Sequence, residues 1–286
     1  MGAVEEKKTS ANWSAKFRWF RRAVGPWQPF TGRGVSAFRV ATFRRVLAFQ
    51  LVTALLSAAL LVWVVRRTWF PIVVRGTDRL PEAASIADGT LHWPDTEPVR
   101  LAENVWLDWI ITPTNRTELG QTADLQVELR PRELRINGLA GHLALPYRRD
   151  VDVPLGRIEA SARWGAWSWV LLTGLGVATT LTLLALWWSL ATLYTLPVLI
   201  LAILMGRRAR LLGTWRIISA ALLPGALFAD WSILAYGIGA VRLPGFAILF
   251  TLHLVVGWVW LVWGVSHCPR ADSREPDNPF EAARDA

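Results

Sequence analysis

Two ionisable side chains, Asp230 and His253, stand inside otherwise uncharged apolar runs near the end of the chain. An ionisable group at membrane depth is energetically costly, so it is by default a candidate for handling protons or cations. With about 1.5 Å of rise per residue, Asp230 lies ~15 Å and His253 ~11 Å from the turn at 241–245 that separates the two runs. These similar depths predict an Asp–His pair on adjacent antiparallel helices, which could relay a proton or bind a cation.

A structural alternative exists for the same two residues. Asp230 and Trp231 would then mark the end of a helix over 211–229, and His253 would donate one interhelical hydrogen bond. Such bonds contribute only about 0.6 kcal/mol on average. The sequence leaves both interpretations open.

Small residues repeat at intervals of four on the segment that carries Asp230. Ala221, Gly225 and Ala229 follow this spacing. Small side chains let the backbones of two helices approach closely, so we predict that this stripe is a helix-packing surface. The partner helix could belong to the same chain or to a second copy.

No recognised catalytic or metal-binding motif accompanies these residues. His267 and Cys268 are adjacent but lack further ligands at zinc spacing. The HExxH, GxSxG and P-loop patterns are absent from the sequence, and the single cysteine excludes a disulfide framework within the chain. We therefore predict a protein that is not an enzyme and that has no cofactor and no metal site.

The segments that hold these residues have the composition of membrane helices. The chain has 286 residues, of which 53% are hydrophobic and 18 are tryptophan, as expected for a multi-pass membrane protein. From Trp164 to Gly206, 43 consecutive residues carry no charge. A helix of that length would run roughly twice the ~30 Å thickness of the hydrocarbon core, which predicts a turn inside the stretch.

Hydropathy predicts an α-helical multi-pass protein with five hydrophobic segments and four or five crossings. The segments are 46–65, 167–187, 190–206, 217–240 and 246–265, the last four forming a helix cluster over 164–265. Five crossings from a cytoplasmic N-terminus would put the polar tail, 266–286, outside. They would also put the arginines of 207–216 outside, which conflicts with the positive-inside rule. Four crossings, with 190–206 re-entrant, would bring those arginines inside. We favour five crossings.

The N-terminal arm, residues 1–45, carries most of the net charge. It has ten Lys or Arg and two Glu, which accounts for +8 of the total +9 and predicts a cytoplasmic N-terminus. Residues 12–24 have aromatic and aliphatic side chains at helical spacing, so they predict an amphipathic helix on the membrane surface. Its basic side chains would bind anionic lipid head groups: Lys16, Arg18, Arg21 and Arg22. A disordered basic tail is the alternative, and the helical spacing of the aromatics argues against binding to nucleic acid.

Residues 68–163 differ from the rest because they hold 11 Lys or Arg and 14 Asp or Glu. Hydrophobic residues alternate with polar ones along several short runs, as in 125–129 and 143–147, which is typical of β-strands. Asn137-Gly138 between two such runs is a hairpin signal. We predict a small antiparallel β-domain that is inserted after the first membrane helix and lies outside the cytoplasm.

The run GTWRIISAALLPGALFADWSILAYGIGAVRLPG, residues 213–245, has Arg216, then small residues and Pro224, then a second apolar half. It resembles the C-terminal region of the Yip-like membrane superfamily, in particular bacterial membrane proteins of unknown function labelled maltodextrin-utilisation proteins. The similarity of layout covers residues 46–265. The resemblance implies a non-enzymatic role in membrane organisation or partner binding in a bacterial cytoplasmic membrane, and it supplies no catalytic residues.

Two functions follow as hypotheses. The first is an integral membrane protein that binds a protein partner through the outer β-domain. The second is a small proton- or cation-coupled transporter or channel subunit that uses Asp230 and His253, and it requires oligomerisation because four or five helices are few for a monomeric carrier.

Overall fold

A computed structural model describes residues 29–114 and 119–271 of the chain. The predicted amphipathic helix at 12–24, with its four basic side chains, lies outside the described residues, as does most of the predicted polar tail.

Six α-helices and eight strands make up the described residues. The helices are α1 (Gly32–Ala37), α2 (Phe43–Thr68), α3 (Phe70–Thr77), α4 (Arg157–Leu204), α5 (Leu211–Gly237) and α6 (Leu243–Ser266). The strands are β1 (Ser85–Ala87), β2 (Thr90–His92), β3 (Val99–Glu103), β4 (Leu107–Ile111), β5 (Leu125–Leu129), β6 (Glu133–Gly138), β7 (Gly141–Pro146) and β8 (Val153–Pro154). Within residues 29–114 and 119–271, four helical segments are long and apolar enough to cross a membrane: α2 with its continuation α3, α4, α5 and α6.

The prediction of five hydrophobic segments is corrected to four helices. The predicted segment 167–187 and residues 190–204 of the next one belong to one continuous helix, α4, which has 48 residues and contains Pro197. At about 1.5 Å per residue it is ~72 Å long. The inference that the chain must turn inside the uncharged stretch was wrong, because an apolar helix can extend beyond the hydrocarbon core. The re-entrant alternative for 190–206 fails for the same reason.

Two tryptophans lie between the predicted segments 167–187 and 190–206, and both contact other helices. Trp187 is buried and packs with Ala54 and Leu223. The indole Nε1 of Trp188 donates a 2.9 Å hydrogen bond to Oε1 of Gln50 on α2. The indole of Trp188 therefore has a hydrogen-bond partner on another helix at the point where a turn was expected.

Helix α5 continues past Asp230 to Gly237. The alternative in which Asp230 ends a helix over 211–229 is therefore wrong. The chain turns only after α5, where Gly239 adopts a φ of +79°, a left-handed conformation that favours glycine. Helix α6 then begins at Leu243, and Pro244 in its first turn costs no helical hydrogen bond.

The β-domain contains two sheets, and only one of them is purely antiparallel. The smaller has the order β2-β1-β8 and is antiparallel, and the larger has the order β3-β4-β5-β6-β7. The larger sheet is mixed because β4 and β5 are parallel, with Leu107 opposite Leu125 and Ile111 opposite Leu129. The expectation of a purely antiparallel domain was thus incomplete, since the side-chain alternation that predicts a strand carries no information about its direction.

The predicted hairpin at Asn137-Gly138 joins β6 and β7. Gly138 pairs with Gly141, so the loop is Leu139-Ala140, two residues beyond the predicted turn. The end of the sheet at β3 lies against α3, and Leu101 in β3 is fully buried. In contrast, all of β7 is exposed.

The chain divides into two compact units. Among the described residues, the first comprises 29–57, Thr179–Ser232 and 247–271, and the second comprises 58–114, 119–178 and Ile233–Phe246. In the first, Val35, Val198, Ile218 and Leu261 form the main buried cluster. In the second, the side chains of Leu101, Ile111 and Leu129 are central to the buried cluster of the β-domain.

Candidate functional site

The carboxylate of Asp230 is held by a hydroxyl from another helix. Ser57 Oγ, on α2, donates a 2.8 Å hydrogen bond to Oδ2 of Asp230 on α5. The same hydroxyl lies 3.0 Å from the carbonyl of Thr53, one turn earlier on α2. Asp230 is partly buried and Ser57 is buried. A carboxyl at this depth with one hydroxyl partner could carry a proton or help to bind a cation.

Ser57 belongs to a buried polar stripe on α2 that the sequence pattern did not single out. Gln50, Thr53 and Ser57 are all buried, at successive turns of one helix face. The stripe could have been predicted, because its members stand at i, i+3 and i+7 in an apolar segment. Gln50 accepts the indole hydrogen bond from Trp188, and its amide Nε2 has no hydrogen-bond partner among the described residues.

His253 does not form the predicted pair with Asp230. Its ring Nδ1 lies against the carbonyl oxygen of Phe250, on its own helix, and its ring packs against that of Phe250 at 4.8 Å between centroids. The hydrogen bonds of the two ionisable side chains therefore lead to different partners. Similar depth did not bring the side chains together, because depth along two helices does not determine which faces the helices present to each other.

The small-residue stripe lies on the buried side of α5. Ala221 is fully buried and Ala229 nearly so. A Cβ atom built on Gly225 would lie 2.8 Å from the carbonyl oxygen of His253 and 3.3 Å from the Cα of Gly257. The backbones of α5 and α6 are therefore in close contact at Gly225, within one chain.

A polar network crosses four neighbouring strands of the β-domain, β3 to β6. Asp108 in β4 is fully buried, and its carboxylate accepts hydrogen bonds from Arg100 Nε at 3.0 Å and Thr122 Oγ1 at 3.1 Å. Gln126 in β5 donates to Asp108 at 3.4 Å and accepts from Asn137 Nδ2 in β6 at 2.9 Å. These hydrogen bonds connect side chains on neighbouring strands, so the network helps to specify strand register.

Two hydrogen bonds join the β-domain to the last turn of α5. Tyr236 donates its hydroxyl to Oδ2 of Asp124 at 2.7 Å, and the indole of Trp106 donates to the carbonyl oxygen of Tyr236 at 3.2 Å. Gly237 packs so tightly that an added Cβ would lie 2.5 Å from Cγ2 of Val64 on α2. These contacts fix the β-domain onto the ends of the helices within the second unit.

The edge of the larger sheet at β7 is open and apolar. Leu143 is 56% exposed and Leu145 is 44% exposed, and Leu139 in the hairpin loop is 71% exposed. The sequence from 136 to 147 contains no Asp, Glu, Lys or Arg, although the domain around it is rich in charge. Among the described strands, β7 pairs with β6 alone.

Residues with metal-binding chemistry do not converge in the described part of the chain. Within residues 29–114 and 119–271, no group of three His, Cys, Asp or Glu side chains could hold a metal ion. Cys268 is buried with its Sγ 3.7 Å from the carbonyl of Gly264, and this burial raises the pKa of its thiol. His267 contacts the carbonyl of Trp263 instead of the cysteine.

No protein-family description, curated protein or solved structure matches this chain. The resemblance of residues 213–245 to the Yip-like superfamily therefore stays a prediction.

Proposed function

We propose that this chain is a non-enzymatic integral membrane protein of a bacterial cytoplasmic membrane, which binds a partner protein through the open edge of β7. Its N-terminus would lie in the cytoplasm and its β-domain outside.

The helix count supports this orientation. With four crossings, α4 is the second crossing and brings the chain back to the side where it started. The arginines of 207–216 then lie on the cytoplasmic side together with the basic arm. This arrangement agrees with the positive-inside rule, which five crossings would violate. The β-domain follows the first crossing and would therefore lie on the opposite side.

The observation that carries the partner-binding proposal is the exposed, uncharged edge of β7. Sheet edges in soluble domains are commonly protected by charges, prolines or covering elements, because their free backbone groups pair readily with another strand. The run from 136 to 147 has no charge to prevent such pairing, and Leu143 and Leu145 present apolar surface beside the edge. A partner strand added to β7 would gain backbone hydrogen bonds, and its side chains would pack against these leucines.

Site-specific crosslinking of the full-length protein in its native membrane tests this proposal. A photoreactive amino acid at position 145 should capture a defined partner, and the same group at Val151, which is also exposed, should not. The double substitution Leu143→Glu and Leu145→Glu should remove the crosslinked species and its co-purification, because a charge at the edge opposes strand addition. Val151→Glu is the matched control. A complex that survives the double substitution would refute the role of β7.

Transport through Asp230 is the second candidate, and the contact between Asp230 and Ser57 inside the helical region is the observation that favours it. The expected test is a proton or cation flux in vesicles that Asp230→Asn abolishes. A flux that is unchanged in this variant would exclude Asp230 as the carrier.

A further inference from the structure

The described residues of the first unit have an extreme charge composition. They contain nine arginines, no lysine and a single acid, Asp230. The arginines occur in three segments of the sequence. The first segment leads into the start of α2, the second runs from the end of α4 into the first turns of α5, and the third follows α6.

Backbone pairing brings two of these segments together. The N–H of Arg208 donates to the carbonyl of Pro269 at 2.9 Å, and the N–H of Ala271 donates to that of Gly206 at 2.9 Å. The guanidinium Nη1 of Arg207 also donates to the carbonyl oxygen of Cys268 at 2.8 Å. The segment after α6 is thus fixed against the turn between α4 and α5.

The segment before α2 contributes Arg39 to the same region. A Cβ atom built on Gly213, in the first turn of α5, would lie 3.0 Å from Cγ of Arg39. Arg39, Arg208 and Arg210 line one small cavity together with Cys268. The positive charges of Arg39 and Arg207 oppose the effect of burial on the pKa of the Cys268 thiol.

Positive charges around one small cavity repel one another, and an anion bound among them relieves this repulsion. Arg207 Nε is buried and has no hydrogen-bond partner among the described residues, and Arg210 is exposed. Arg210 also immediately precedes α5, whose N-terminal end carries partial positive charge. The cluster thus combines a buried donor, an exposed guanidinium and a helix N-terminus.

We propose that Arg39, Arg207 and Arg210 form a binding site for the phosphate of an anionic phospholipid. Guanidinium groups suit this ligand because they donate two parallel hydrogen bonds to phosphate oxygens. The site lies where α5 begins and a few residues after α6 ends, and Arg44 and Arg45 lie in the first turn of α2. Ends of membrane helices are at the level of lipid head groups, so the phosphate is that of a lipid of the surrounding bilayer.

Native mass spectrometry of the full-length protein in neutral detergent tests this site. Equal amounts of phosphatidylglycerol and phosphatidylcholine are added, and the retained lipids are counted. The unmodified protein should retain phosphatidylglycerol selectively, and Arg39→Gln with Arg210→Gln should weaken this retention by about tenfold or more. The matched control, Arg163→Gln with Arg242→Gln, removes two exposed arginines outside the cluster and should retain the lipid.

Two results would overturn the site. An equal loss in the control pair would show a general effect of charge, and displacement of the lipid by millimolar inorganic phosphate would show a site for a free anion. Arg210→Gln alone, checked by its thermal unfolding, provides a variant on an exposed side chain that should fold and still bind more weakly.

Discussion

Replacing Gly225 by alanine tests the close contact between α5 and α6. An added Cβ at this position would lie 2.8 Å from the carbonyl oxygen of His253 and 3.2 Å from the backbone nitrogen of Gly257. Both atoms belong to the backbone of α6, so neither can move aside as a flexible side chain would. The chain supplies its own control at Gly257, where an added Cβ would have no heavy atom within 4 Å.

The expected magnitude follows from two opposing terms. Alanine is favoured over glycine in a helix by about 0.8–1.0 kcal/mol, and forcing an extra methyl group into a packed interface costs about 1–3 kcal/mol. Gly225→Ala should therefore lower the free energy of unfolding by up to about 2 kcal/mol, whereas Gly257→Ala should raise it by about 1 kcal/mol. The difference between the two variants, about 1–3 kcal/mol, removes the propensity term and isolates the contact.

Reversible unfolding of the full-length protein by titration with a denaturing detergent, followed by tryptophan fluorescence, measures both variants. The reasoning is refuted if Gly225→Ala and Gly257→Ala unfold at the same detergent fraction. That result would mean that α5 and α6 separate at little cost, so that the contact at Gly225 does not stabilise the fold.

Three further predictions concern the remaining sites. Ser57→Ala should lower the unfolding free energy by about 0.6 kcal/mol in the same titration. Asp230→Asn should change the unfolding free energy less, because its amide oxygen can still accept the hydrogen bond from the Ser57 hydroxyl. A loss above about 2 kcal/mol would contradict this estimate. Gly76→Ala should destabilise the β-domain by about 1–3 kcal/mol, because the new methyl group would overlap the ring of Trp109. Hydrogen exchange of the backbone amides in the strands measures this loss. Unchanged exchange would contradict the contact. Burial raises the pKa of Cys268, so at pH 8 less of its thiol is ionised in the folded state than in the denatured state. Alkylation of the thiol, measured by mass spectrometry, should therefore be slower in the folded protein. Equal rates would show that the thiol is accessible.

The sequence predicted the elements of the fold better than their connections. The alternation along 125–129 and 143–147 predicted β5 and β7, and Asn137-Gly138 predicted the hairpin between β6 and β7 within two residues. The parallel pairing of β4 with β5 could not be read in the same way, because both directions of pairing show the same alternation.

The candidate site was predictable in its residue types and not in its contacts. Asp230 stood out because a charge in an apolar run is rare, yet its partner is Ser57 and not His253. Serine is common in membrane helices, so only its position relative to Gln50 and Thr53 could have indicated a polar face. Which faces of the helices meet depends on how all side chains pack, and a single sequence does not contain that information.

The sequence by itself determined that the chain has long apolar helices, a charged β-domain between them and a strongly basic N-terminal arm, because hydrophobic runs and charge counts depend on composition alone. Only the tertiary structure decided that the uncharged residues from Trp164 to Leu204 belong to one helix, and that arginines from two separate segments lie around Cys268. The physical reason is that continuation of a helix and convergence of distant side chains depend on packing partners. Trp188 finds its partner in Gln50, and Arg39 lies beside Gly213, over separations in sequence that no local pattern records.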